Sequence, residues 1–268
     1  MLIKKNIDYT IQSFPSSRLF TLDVGRIGLR KHHIKALVEI DVTESRKKIK
    51  RKKTDGDKIS FTSWILKCIS QAVSEHKQVH AFKKGKNRLL IFNNIDLSII
   101  VEKEVNGIPV PLPLVIRDVN NRSVNDIYCE IENAKKKIIE DQSNYVMGKS
   151  RGEEQIKLFT LLPQFIRLFI WKVMLHNPYR VKKMMGTAVV TSVGMMGDMD
   201  GWIIPYSIHP ACFALGSIVR KPGVINNTID IREYLKMTIL LDHDVIDGAP
   251  AARFVSRLTD LIEDGYEL

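Results

Sequence analysis

Residues 234–262 constrain the fold more than any other stretch, because two different hydrophobic periods meet there across a seven-residue junction. Upstream, 234–241 (YLKMTILL) is a β-prone apolar run. Downstream, Ala251, Phe254, Val255, Leu258, Leu261 and Ile262 recur at the three-to-four spacing of one helix face. Pro250 suits the first helical position, and Gly248 fixes the start. The junction itself reads DHDVIDG, and a strand-to-helix connection this tight holds a side chain rigidly while letting it reach a cleft.

Other segments add alternating strands and helices. The sequence predicts a strand at 34–42 running into a solvated loop at 46–53, then a helix capped by Thr62 or Ser63 that buries Trp64, Ile65, Cys68, Ile69, Ala72 and Val73. A hairpin is expected with arms at 89–92 and 95–101 around Asn93-Asn94. Ser123 and Asp126 form a capping pair for a helix that buries Val124, Ile127, Ile131 and Ala134. Further strands are expected at 187–191, 211–219, 230–232 and 234–241. Gly194, Gly197 and Gly201 punctuate a loop, GMMGDMDG, that lacks the Lys-Ser/Thr of a P-loop and any dinucleotide fingerprint, so it reads as turn chemistry. No repeat or linker divides the chain. One α+β domain over 1–268, with a large mixed sheet, is the economical architecture.

Composition narrows the function. The formal charge is +11, but seven positive charges lie in the single run RKKIKRKK at 46–53, leaving +4 elsewhere. That run has no interleaved aromatics, so it reads as a solvated or anion-facing loop and not as a nucleic-acid site. Cys68, Cys129 and Cys212 are odd in number and widely spaced, as in a reducing cytoplasm, with no zinc or redox motif. The start, MLIKKNIDYT, lacks the apolar middle of a secretion signal, which also points to the cytoplasm. The apolar stretch 156–175 is broken by Lys157, Pro163, Arg167 and Lys172, so no membrane span is expected; it reads as an amphipathic surface or interface segment.

At the junction, His243 carries the one side chain whose ordinary pKa, about 6.5, suits proton transfer at neutral pH. Asp247 stands where a helix N-terminus favours a carboxylate. Taken by periodicity alone, a histidine among aspartates is more often a surface-loop residue than a catalytic one. A metal is not expected: Asp242, His243, Asp244 and Asp247 do not make a ligand set, and His209 has no ligand-like spacing to them.

The string DHDVIDGAPAARF resembles the His-x-x-x-Asp-Gly signature of the catalytic domain of dihydrolipoyl acyltransferases from 2-oxo acid dehydrogenase complexes. GTAVVTSVGMMG (186–197) is similar to the family's Gly-Thr-x-x-x-Ser-x-x-Gly-x-x-Gly segment, and KISFTSWILKCISQAV, IDLSIIVEKEVNGIPVP and DVNNRSVNDIYCEI resemble successive family segments in order. The similarity spans about 30–265, with an amphipathic insertion at about 153–185. It implies the two-layer fold of chloramphenicol acetyltransferase, a large mixed sheet flanked by helices.

The resemblance also implies roles. His243 is the general base that takes a thiol proton from coenzyme A or a dihydrolipoyl group; Thr191 stands where the family has an oxyanion-binding serine, with Ser192 the alternative if the register slips by one. Asp247 pairs with an arginine near the domain start, Arg18 first and Arg26 second, and Gly248 permits the close turn. Coenzyme A or its thioester is then a substrate, and the active site lies between subunits of a homotrimer or a multiple of one.

Two departures bear on function. Asp244 replaces the arginine that commonly follows the histidine, which should make the imidazole more basic and changes what the substrate meets. No lipoyl attachment site or subunit-binding module is expected in this chain, so either another chain supplies a lipoyl domain or the acceptor is a separate diffusible thiol or alcohol. The second is the leading expectation; a catalytically silent trimeric core of the same fold is the rival.

Overall fold

The structure, a computed structural model, describes residues 9–11, 14, 18–105, 108–136, 158–192 and 200–268. Six strands form one mixed sheet in the order β1 (His33–Asp41), β8 (Thr228–Asp242), β7 (Ala211–Ile225), β6 (Ala188–Ser192), β4 (Leu97–Val105), β5 (Ile108–Ile116). A small ladder pairs β2 (Phe82–Lys84) with β3 (Arg88–Leu90). The helices are α1 (Arg18–Gly28), α2 (Thr43–Thr54), α3 (Phe61–Glu75), α4 (Val124–Lys136), α5 (Gln164–Leu175), α6 (Pro178–Met185) and α7 (Gly248–Glu263), with short 3₁₀ turns at Lys77–His80 and Val119–Asn121. This is the α+β, two-layer arrangement the sequence implies.

The core lies between one sheet face and α3, α4 and α7. Ala188, Val190, Phe213, Met237, Ile239 and Leu241 alternate along their strands toward Trp64, Ile69, Phe254 and Leu258 on the helices. Trp64 satisfies its indole N–H on the Tyr266 carbonyl at 2.9 Å, so the large ring is buried without an orphan donor.

Several local expectations are corrected. The basic run is the helix α2: lysine and arginine are good helix formers, and Ser45 and Ile49, four residues apart, supply a narrow buried side. Its charges are partly spent at home, Arg46 on Glu233, Lys47 on Glu44 and Lys52 on Asp57. The cap of α3 is Ser60, in a reciprocal pair with Ser63, two or three residues ahead of the expected cap. Asn93-Asn94 closes no hairpin; β3 pairs back with β2, and β4 pairs with β5. The 230–232 and 234–241 segments are one strand, β8, joined to β7 through Asn226 and Asn227, both at positive φ as a two-residue hairpin turn requires. Pro250 is the third residue of α7, not the first.

Candidate active site

Strand β1 and the end of β8 build the junction. Their antiparallel register sets His33 opposite Asp242, so the residues just before β1 meet the residues just after β8. Asp242 is buried and its carboxylate takes the Lys31 ammonium at 2.5 Å. The other Asp242 oxygen accepts the Asp244 N–H at 3.2 Å, and its carbonyl accepts the N–H groups of Val245 and Ile246. His243 gives its own N–H to the His32 carbonyl at 2.9 Å, while Val245 and Ile246 bury their side chains. The backbone on both sides of His243 is therefore pinned, yet its imidazole is exposed and makes no side-chain hydrogen bond among the described residues.

Asp244 turns away from the junction: its carboxylate meets His32 Nδ1 at 3.0 Å, and that bond holds its pKa below the usual aspartate value. The negative charge that the sequence sets beside His243 is thus shared with His32. Lys31 and His32 escaped the sequence reading; the signal was KHH directly ahead of a strand, meaningful only once β1 is known to pair with β8.

Asp247 is the exposed N-cap of α7 and accepts the Ala251 N–H on its backbone carbonyl at 3.0 Å. Among the described residues its carboxylate makes no ion pair with Arg18 or Arg26; Arg18 lies 5.9 Å over the Phe14 ring instead. Within one chain the loop anchor is Asp242 with Lys31. Gly248 lines an apolar cavity of about 410 Å³ with Ile34, Ala36, Leu241, Ala251 and Val255.

Thr191 and Ser192 end β6, and 193–199, with Gly194 and Gly197, lie outside the described residues. Thr191 is in register with Ala214 and, through it, with Thr238, on the sheet face turned away from α3 and α7; Ser192 is in register with Leu215 and shares the helix-covered face. The start of β6 is held by Asp96, whose carboxylate takes Arg117 at 2.9 Å and whose carbonyl accepts the Thr187 hydroxyl at 3.1 Å. Gly186, at φ +77°, is required there because a Cβ would lie 2.6 Å from the Asp96 carbonyl oxygen.

The same register measures the site. From Thr191 to His243 the path crosses two strand spacings of about 4.8 Å and five residues of about 3.3 Å, roughly 19 Å in all. No single acyl group in one chain touches both. Other titratable groups nearby are structural. Burial pushes the His209 imidazole down to about 4, with Nε2 fixed on the Met185 carbonyl at 2.9 Å, and burial pushes the Cys212 thiol up to about 12. No cluster of three potential metal ligands occurs among the described residues.

The profile of the family described as 2-oxoacid dehydrogenases acyltransferase (catalytic domain) matches residues 31–145 and 179–268. The chain belongs to this family. The acyltransferase domain is 24% identical over 270 residues to the lipoamide acyltransferase component of the branched-chain alpha-keto acid dehydrogenase complex of Bacillus subtilis, covering 94% of this chain and 54% of that protein. It spans about half the length of the curated relatives it matches. Its fold superposes on a probable dihydrolipoamide acetyltransferase from Listeria monocytogenes with a TM-score of 0.66 at 19% identity, covering 97% of this chain and 96% of that one. It also matches a chloramphenicol acetyltransferase with a TM-score of 0.52 at 12% identity, covering 93% and 96%. No helix among the described residues of this acyltransferase domain is long and apolar enough to cross a membrane.

Proposed function

We propose that the chain transfers an acyl group between coenzyme A, or a dihydrolipoyl thiol, and a thiol or hydroxyl acceptor, at a site shared by neighbouring copies in a trimer. The carrying observation is the pinned loop that presents an imidazole with no hydrogen-bond partner among the described residues, about 19 Å from the in-register hydroxyl of its own chain. In this reading His243 removes the proton of the attacking thiol, and the sulfur adds to the thioester carbonyl. The neighbour's Thr191 donates its hydroxyl to the resulting oxyanion. Collapse expels the other thiolate, which takes the proton back from the imidazolium, so charge and protons balance. Thr191 is favoured over Ser192 because only Thr191 lies on the sheet face turned away from α3 and α7.

Asp247, at the start of α7, keeps an exposed carboxylate available to the adjoining chain, where Arg18 is the first candidate to meet it. A lipoyl domain carried by another chain is an alternative acyl donor in the same chemistry. The test is release of free coenzyme A from acetyl-coenzyme A with a panel of thiols and alcohols, comparing wild type with His243→Ala. A loss of about 10²–10⁴-fold is expected. Asp244, in place of the family's arginine, favours the rival of a silent trimeric core, and equal low rates for both proteins would establish that rival.

A further inference from the structure

Helix α5 is amphipathic in the inverted sense. Its one fully buried side chain is Arg167, 5% exposed, whose Nε and Nη2 reach the two Asp23 carboxylate oxygens of α1 at 2.8 and 3.1 Å while Nη1 donates to the Leu162 carbonyl at 2.8 Å. On the opposite side, at about 100° per residue, stand Phe165, 73% exposed, and Phe169, 66% exposed, with Val173 beside them. Exposed Leu158 and Leu161 extend the strip. The Asp23 clamp, with Phe20 stacked on Phe159 at 5.2 Å, fixes this orientation: rolling α5 over would strip a buried carboxylate of its cation.

Among the described residues of α1, α5 and α6 the unpaired charge has one sign. Neither α5 nor α6 contains a carboxylate, and the sole acid of α1, Asp23, is neutralised by Arg167. Arg18, Arg26, Arg30, Lys172, Arg180 and Lys183 are exposed and make no ion pair among the described residues. The strip also falls in residues 146–178, which the family profile leaves unmatched, so the shared catalytic frame does not account for it. A second copy meeting this face across a twofold axis would set cations against cations. An anionic lipid surface satisfies both the aromatic strip and the basic surround. Twelve residues of helix reach only about 18 Å, so α5 lies in the interface plane and does not span it.

We propose that α5, flanked by α1 and α6, seats the protein on the surface of an anionic phospholipid bilayer. The test is flotation of the full chain with equimolar phosphatidylcholine–phosphatidylglycerol vesicles against phosphatidylcholine vesicles, for wild type, Phe165→Ser with Phe169→Ser, and Lys172→Gln with Arg180→Gln and Lys183→Gln. Circular dichroism and light scattering are followed in parallel. Wild type should float with the anionic vesicles only and be released by high salt. Each lost ring should weaken binding roughly tenfold, and the charge variant should lose the preference for anionic lipid. Absence of wild-type flotation, or equal flotation with neutral vesicles, overturns the proposal. So does a drop in particle mass for the double phenylalanine variant with no vesicle binding by wild type, which would assign the face to a contact between copies.

Discussion

Two inactive variants, assembled together, should regain activity. The sheet register separates Thr191 from His243 by roughly 19 Å within one chain, so under the proposed mechanism each working site draws its base from one copy and its hydroxyl from the next. His243→Ala alone should lose about 10²–10⁴-fold and Thr191→Val about 10²–10³-fold. Neither should unfold the protein: the first side chain is exposed, and the second swap preserves shape. When the two chains are co-expressed in equal amounts with different tags and purified as mixed particles, a site is intact if its base comes from the Thr191 variant and its hydroxyl from the His243 variant. Every mixed trimer, whichever variant is in excess, holds that combination at one of its sites, so the purified mixed particles should show about a third of wild-type turnover. Release of coenzyme A is the assay. Mixed particles no more active than the average of the two parents would refute the shared site.

Three further outcomes follow from the geometry. The His209 pKa is depressed from 6.5 to about 4 by burial, so the unfolded chain binds the extra proton first; stability is full above about 6.5 and falls toward pH 4, by on the order of 3 kcal/mol. Urea midpoints across this window should flatten in His209→Gln, and an unchanged slope would contradict the assignment. Lys31→Met leaves the Asp242 carboxylate buried without its cation, so turnover should fall at least tenfold while His243 and Thr191 are both intact; Lys31→Arg should recover most of it. For the clamp between α1 and α5, Arg167→Met should open those helices to hydrogen exchange by about 3–5 kcal/mol, whereas Asp23→Leu with Arg167→Met should restore protection near wild type.

Strands with regular apolar spacing, such as 34–42 and 211–219, and the helix after the junction were legible because burial alone set their pattern. Helix α2 was not, since a helix of charged residues with little beyond Ile49 to bury shows no periodicity. Strand β5, IPVPLPLVI, was hidden by its prolines: Pro109, Pro111 and Pro113 fall at alternate positions of an edge strand, where the absent N–H groups face away from β4 and cost no ladder bond. The candidate base His243 was visible in a local motif. Its anchor was not, because Lys31 and Asp242 stand 211 positions apart and meet only through a strand register.

That register also sets a timetable for synthesis. At about 5–20 residues per second, β1 leaves the ribosome roughly 10–40 s before β8 is made, and it waits that long with its ladder groups unpaired. Docking of the sheet edge and completion of the histidine loop are one event, among the last steps of folding. A chain stalled before β8 therefore carries an open strand and an unformed histidine loop.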